Sequence, residues 1–106
     1  MDPYPIVGVI GFQHVGPYTL HVQFDDGAEQ TIDFRPVLHG NLYAPLRDHE
    51  FFRQVHIDPD FPTLIWPNGA DFDPATLRYW PEYLPHLLEI VEKWKRNEQP
   101  IRAESA

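Results

Sequence analysis

At 106 residues the chain has the length of one domain, enough to bury roughly two-thirds of its unfolded surface around a single core. It has no cysteine, which excludes disulfides, zinc–thiolate sites and a thiol nucleophile. Its net charge of −8 with neutral histidines repels phosphate backbones and anionic membranes, so neither direct nucleic-acid binding nor membrane binding is expected, while a basic partner is permitted.

Ile6 to Phe12 is apolar on both faces and reads as a strand, with a bulge at Gly8 or Gly11. Val15-Gly16-Pro17 turns the chain, and Tyr18, Leu20, Val22 and Phe24 then alternate with polar residues at a period of two. Asp25-Asp26-Gly27 suits a primed hairpin turn, and Ala28, Gln30, Ile32 and Phe34 alternate on the return, completing a three-strand meander. Arg35-Pro36 ends that strand. Val37 to Pro45 reads as irregular, with Leu42 and Tyr43 as core anchors beneath the loop.

Asp48 caps a short central helix running through Gln54, and Leu46 is placed to staple onto Phe51 or Phe52. Val55–Asp58 and Thr63–Trp66 form a second strand pair across Pro59-Asp60-Phe61-Pro62. Pro67 ends the strand for want of an amide hydrogen, and Pro-Asn-Gly makes a tight reversal. Asp73 caps the next helix and Pro74 takes its first position, where a missing donor costs nothing. Pro81 and Pro85 bracket the start of a final amphipathic helix, with Leu84, Leu87, Leu88, Val91 and Trp94 on one stripe. Glu98 to Ala106 has little to bury and reads as a flexible tail. The expected architecture is α+β: an antiparallel sheet of about five strands, meander plus hairpin, in a single domain over residues 1–97, with a short central helix, a short helix after Pro74 and the C-terminal helix.

Several of these segments, Val22 to Gly27, Asp33-Phe34, Leu42 to Asp48, Phe51-Phe52, Val55 to Asp58 and above all Trp66 to Leu77, resemble the bacterial domain-of-unknown-function family 2442 (DUF2442). The likeness spans about Pro5 to Tyr79 and rests on the ordered set of hairpin, helix start and Trp-Pro-Asn-Gly-Ala-Asp run. It implies a small α+β domain. It also implies short bacterial proteins, some encoded beside another small protein in toxin–antitoxin-like pairs and some carrying a helix-turn-helix domain. After Tyr79 this chain shows one amphipathic helix and no second helical unit, which departs from those DNA-binding relatives. The resemblance supplies no catalytic residues.

Among the carboxylates, Asp25 and Asp26 serve the hairpin and Asp48 and Asp73 serve caps, leaving Asp71 without a required structural task. It can point toward a ligand or bond the turn's own amides. None of His14, His21, His39, His49, His56 and His86 forms the i, i+4 helical pair of a zinc hydrolase, and only His56 and Asp58 share a strand face. No metal site and no cofactor is expected. Trp80 and Tyr83, flanked by prolines, either form a partner-binding rim or pack the last helix onto the sheet.

The candidate binding residues are thus Asn68, Asp71, Trp80 and Tyr83, and the leading expectation is a non-enzymatic protein-interaction or regulatory module binding a small protein as half of a toxin–antitoxin-like pair. A homodimer is compatible with the same residues. The alternative is a small-molecule or metal-dependent enzyme with a site near Asn68, Asp71, His56 and Asp58. Met1-Asp2-Pro3-Tyr4-Pro5 lacks the basic flank and apolar run of a signal peptide, so a cytoplasmic location is expected.

Overall fold

The computed structural model describes residues 7–104, with side chains through Arg96. Three strands, β1 (Val9–His14), β2 (Thr19–Phe24) and β3 (Glu29–Asp33), form an antiparallel meander in the order β1-β2-β3. The pairing of β1 with β2 slips between Val9 and Gly11, leaving Ile10 as the extra residue with its side chain 65 % exposed. The bulge expected at one of the flanking glycines therefore exists, but the strand runs on to His14; Ile6, the expected first residue, lies outside the described residues. Leu20, Val22 and Phe24 alternate inward along β2, as their period of two requires.

Two further strands, β4 (His56–Ile57) and β5 (Leu64–Ile65), pair with each other and not with the meander. The five strands thus divide into a three-stranded and a two-stranded sheet, which corrects the expectation of one sheet. A backbone bond from Val9 N–H to the Pro62 carbonyl (2.9 Å) links the two units. It comes from the hairpin connection, where Pro59 and Pro62 have no amide hydrogens to extend a ladder.

Between the sheets, the stretch expected to be irregular winds into single turns: a 3-10 turn at Arg35–Val37, α1 at Gly40–Tyr43 and a second 3-10 turn at Ala44–Arg47. Each is too short to show helical periodicity. Leu42, expected as a core anchor, is 43 % exposed on α1, whereas Tyr43 is half-buried and packs against the core. Helix α2 (His49–Phe52) begins with the Asp48 carboxylate accepting from Glu50 N–H (3.1 Å), and Leu46 is fully buried beside it. The Tyr18 hydroxyl donates to the Arg47 carbonyl, tying the meander to this segment.

Helix α3 (Pro74–Arg78) starts on the Asp73 cap, whose carboxylate accepts from Ala75 N–H (2.8 Å). After Tyr79 the chain enters α4 (Trp80–Glu104), so helical backbone begins before Pro81 and continues past Asn97. Pro81 lies in the first turn, where its missing donor would have been unpaired. The core is an aromatic cluster in which Phe34 meets Phe52, Trp66, Phe72 and Trp80 at ring-centroid distances of 5.3–6.0 Å. On α4, Val91 is buried and Leu84, Leu87 and Trp94 are half-buried against the core, while Leu88, expected on the same stripe, sits exposed at its flank. Among the described residues no helix is long and apolar enough to cross a membrane.

Candidate functional site: the corner and the adjoining cleft

The corner from Thr63 to Asp73 is closed almost entirely by its own hydrogen bonds. Trp66 is 1 % exposed, and its indole N–H donates to the Phe52 carbonyl (2.9 Å). Trp66 N–H donates to the Ala70 carbonyl and Gly69 N–H to the Trp66 carbonyl (both 2.9 Å), which closes the reversal. Gly69 takes φ +90°, a conformation that a side chain disfavours; Asn68 stays at negative φ. The Asn68 amide is used at both ends, its oxygen accepting from Ala70 N–H (3.1 Å) and its nitrogen donating to the Leu42 carbonyl (3.0 Å). Thr63, buried, donates its hydroxyl to the Phe72 carbonyl. Asn68 is therefore a tether between the turn and α1, with its amide nitrogen and its amide oxygen each bonded within the chain.

The residues of the alternative enzyme site are likewise occupied or apart. The Asp58 carboxylate accepts from Asp60 N–H (2.8 Å), and His56 Nδ1 faces its neighbour's carbonyl at Gln54 (3.3 Å). Among the described residues no group of three His, Cys, Asp or Glu side chains could hold a metal ion. His21 sits between Thr31 Oγ1 (2.8 Å) and Glu29 Oε1 (2.7 Å) on the face of the meander.

Asp71 differs from its neighbours. Its backbone joins an isolated bridge with Ile65, and its carbonyl accepts from the Tyr43 hydroxyl (2.6 Å). Among the described residues its carboxylate has no hydrogen-bond or ion-pair partner, and it lies exposed at the mouth of a cleft of about 240 Å³. One side of this cleft is a tier of rings: Tyr43 packs on Phe72 (5.0 Å, 32°) and on Trp94 (5.7 Å, 28°). Leu87 and Val91 of α4 complete the apolar wall, and the charged groups on the lining are the carboxylates of Asp71 and Asp73. The Tyr43 hydroxyl is held above its ordinary pKa, first by burial and then by the negative charge of Asp71.

Trp80 is 5 % exposed and packs edge-on against Phe72, so it belongs to the core and cannot serve as a surface rim. Pro81, in the helical first turn, does not lift it away from the sheet. Tyr83 is 39 % exposed. Helical spacing sets Tyr83 one turn before Leu87, and Leu87 one turn before Val91, so Tyr83 lies on the helix face that borders the cleft. Of the four sequence-derived candidates, Asp71 lines the cleft, Tyr83 adjoins it, Asn68 closes the turn and Trp80 is buried.

The cleft itself was not predicted. Tyr43 and Trp94 were each legible as packing residues, but their meeting depends on α4 crossing α1 at Gly40. An added Cβ at Gly40 would stand 3.1 Å from Trp94 Cδ2. No local pattern encodes that contact.

With this geometry in place, a family model described as a protein of unknown function, DUF2442, matches residues 9–83. The chain belongs to the DUF2442 family. The matched span holds the meander, the hairpin, the whole corner and Asp71, and ends at Tyr83, so Leu87, Val91 and Trp94 of the cleft lie beyond it. No curated protein and no solved structure matches the chain.

Proposed function

We propose that this DUF2442 protein is a non-enzymatic interaction module that binds another small protein through the mouth of the Tyr43–Asp71–Trp94 cleft and the adjoining Tyr83. The observation that carries this reading is the contrast in side-chain use. The polar groups of the corner are satisfied internally, while Asp71 presents a carboxylate beside apolar and aromatic walls. A cleft of about 240 Å³ falls below the roughly 300–1,000 Å³ of sites for drug-sized ligands, which favours a partner's side chain over a cofactor or substrate. Exposed tyrosine beside a cleft supplies contact area at low entropic cost. The net charge of −8 favours a basic partner and disfavours direct nucleic-acid or membrane binding. In this reading the protein is one half of a bacterial toxin–antitoxin-like pair acting in the cytoplasm, and the acidic charge of the chain suits the basic partner such a pairing requires.

The test is co-purification of the full chain from native cell extract, followed by mass spectrometry, with the wild type and Tyr83→Ala compared. A stoichiometric partner lost in the variant, at unchanged circular dichroism and melting temperature, supports the reading. Equal recovery with both chains removes Tyr83 from the surface, and absence of any stoichiometric partner sinks the module.

A further inference from the structure

We propose that the cleft between α1 and α4 is a receptor for one arginine side chain of a basic partner polypeptide, with Asp71 as its charge-recognising group. The proposal deepens the interaction reading above and rests on it for the identity of the arginine's owner, though not for the chemistry of the cleft.

The lining dictates the class of occupant. Among the described residues its charges are the carboxylates of Asp71 and Asp73 and no cationic side chain lines it, so phosphates, nucleotides and carboxylates are repelled. The Tyr43 hydroxyl is already committed to the Asp71 carbonyl, so this ring contributes apolar aromatic surface and not a donor. Phe72, Tyr43 and Trp94 form a continuous aromatic tier, and Leu87 and Val91 extend the apolar surface. A side chain complementary to this lining has an apolar stem to lie along the wall and a cationic head to meet a carboxylate.

Lysine and arginine both satisfy that description, but the walls favour arginine. A planar guanidinium lies against an aromatic face and forks onto a carboxylate at once, whereas an ammonium is a compact, strongly hydrated point charge. The Asp71 carboxylate has both oxygens open among the described residues, whereas the Asp73 carboxylate already accepts from Ala75 N–H. Asp71 is therefore the group placed to accept the guanidinium. The position of Gly40 under Trp94 keeps the far wall close, since any larger residue would push the indole away.

The test uses the full chain and small probes, so it does not depend on finding the partner. N-acetyl-arginine methylamide, its citrulline counterpart and N-acetyl-lysine methylamide are titrated while the Trp94 indole N–H and the backbone amides of Tyr43 and Asp71 are followed by NMR. The arginine probe is expected to shift these signals saturably and to bind about tenfold more tightly than the neutral citrulline probe. Asp71→Asn should abolish that preference with the rest of the spectrum unchanged. Rising salt should weaken the arginine probe and leave citrulline unaffected, a check that needs no variant.

Equal binding of arginine and citrulline, tighter binding of lysine, or saturable shifts confined to other parts of the molecule would overturn the proposal. Failure of these probes alongside successful co-purification would discard the arginine receptor and leave the interaction module standing. Probe binding without a co-purifying partner would retain the receptor and discard the module.

Discussion

The corner at Trp66–Asp73 and the cleft behind it share Asp71, yet they use their residues in opposite ways. In the corner, the indole N–H of Trp66, the amide of Asn68, the hydroxyl of Thr63 and the carboxylate of Asp73 each have an intramolecular partner. In the cleft, aromatic side chains and the Asp71 carboxylate line open space. A conspicuous motif is thus consistent with folding alone, and the group left over from it is the informative one. Residues with satisfied polar groups should change stability when removed; residues with open ones should change binding.

The largest effect should come from Trp66→Ala, which empties a fully buried site and removes the indole donor from the Phe52 carbonyl, leaving it only the longer bond from Val55 N–H (3.3 Å). A loss of about 3–5 kcal/mol in urea unfolding is expected. A loss below about 1 kcal/mol would mean that the corner does not organise the core. Gly40→Ala should follow at about 1–3 kcal/mol, because Gly40 holds φ +86° and its new Cβ would press on Trp94. Displacement of the Trp94 fluorescence in this variant would tie the cleft to the packing of α1 on α4.

Asn68→Ala should cost about 1 kcal/mol, since two hydrogen bonds at an exposed turn are exchanged for bonds to water. Asp71→Asn should stay within about 0.5 kcal/mol of the wild type, as expected for a surface group with no partner to lose. It should also bring the Tyr43 pKa down toward its ordinary value, read by ultraviolet titration, because part of the upward shift comes from the Asp71 charge. An unchanged Tyr43 titration would show that burial alone sets it.

The smallest effect concerns a residue outside both regions, packed edge-on against Phe52 (6.4 Å). His14 has its pKa lowered by burial, with Arg53 and His49 adding repulsion, and its Nδ1 is buried without a hydrogen-bond partner among the described residues. A depressed histidine favours the neutral folded form, so its contribution is present above the ordinary value of 6.5 and is lost as pH falls through the folded pKa. The melting temperature should therefore fall from pH 7 toward pH 5, and fall less in His14→Phe. Identical pH profiles would assign that dependence to other groups.

Much of this fold was legible from local chemistry. Asp-Gly placed the hairpin at Gly27, the period of two placed the core face of β2, and Asp48 and Asp73 cap the helices that their positions announce. What failed was long-range or very short. The separation of β4–β5 from the meander depends on which edges meet, and the turns at Arg35–Val37, Gly40–Tyr43 and Ala44–Arg47 are too brief for periodicity to register. Trp80 illustrates the same limit at the site, since its flanking prolines left a surface rim and packing onto the sheet equally open, and the helix that begins at Trp80 carries the indole inward. Asp71 was singled out because no backbone geometry required it; the aromatic walls that give it a context come from residues distant in sequence.

The most direct test of this division sets Asn68→Ala beside Asp71→Asn and measures two quantities on each: unfolding free energy and affinity for the arginine and citrulline probes. Asn68→Ala should lose about 1 kcal/mol of stability and keep the preference for arginine, whereas Asp71→Asn should keep its stability and lose that preference. If Asp71→Asn proves as destabilised as Asn68→Ala, or still prefers arginine, then the corner and the cleft are not separate in function, and the account is contradicted.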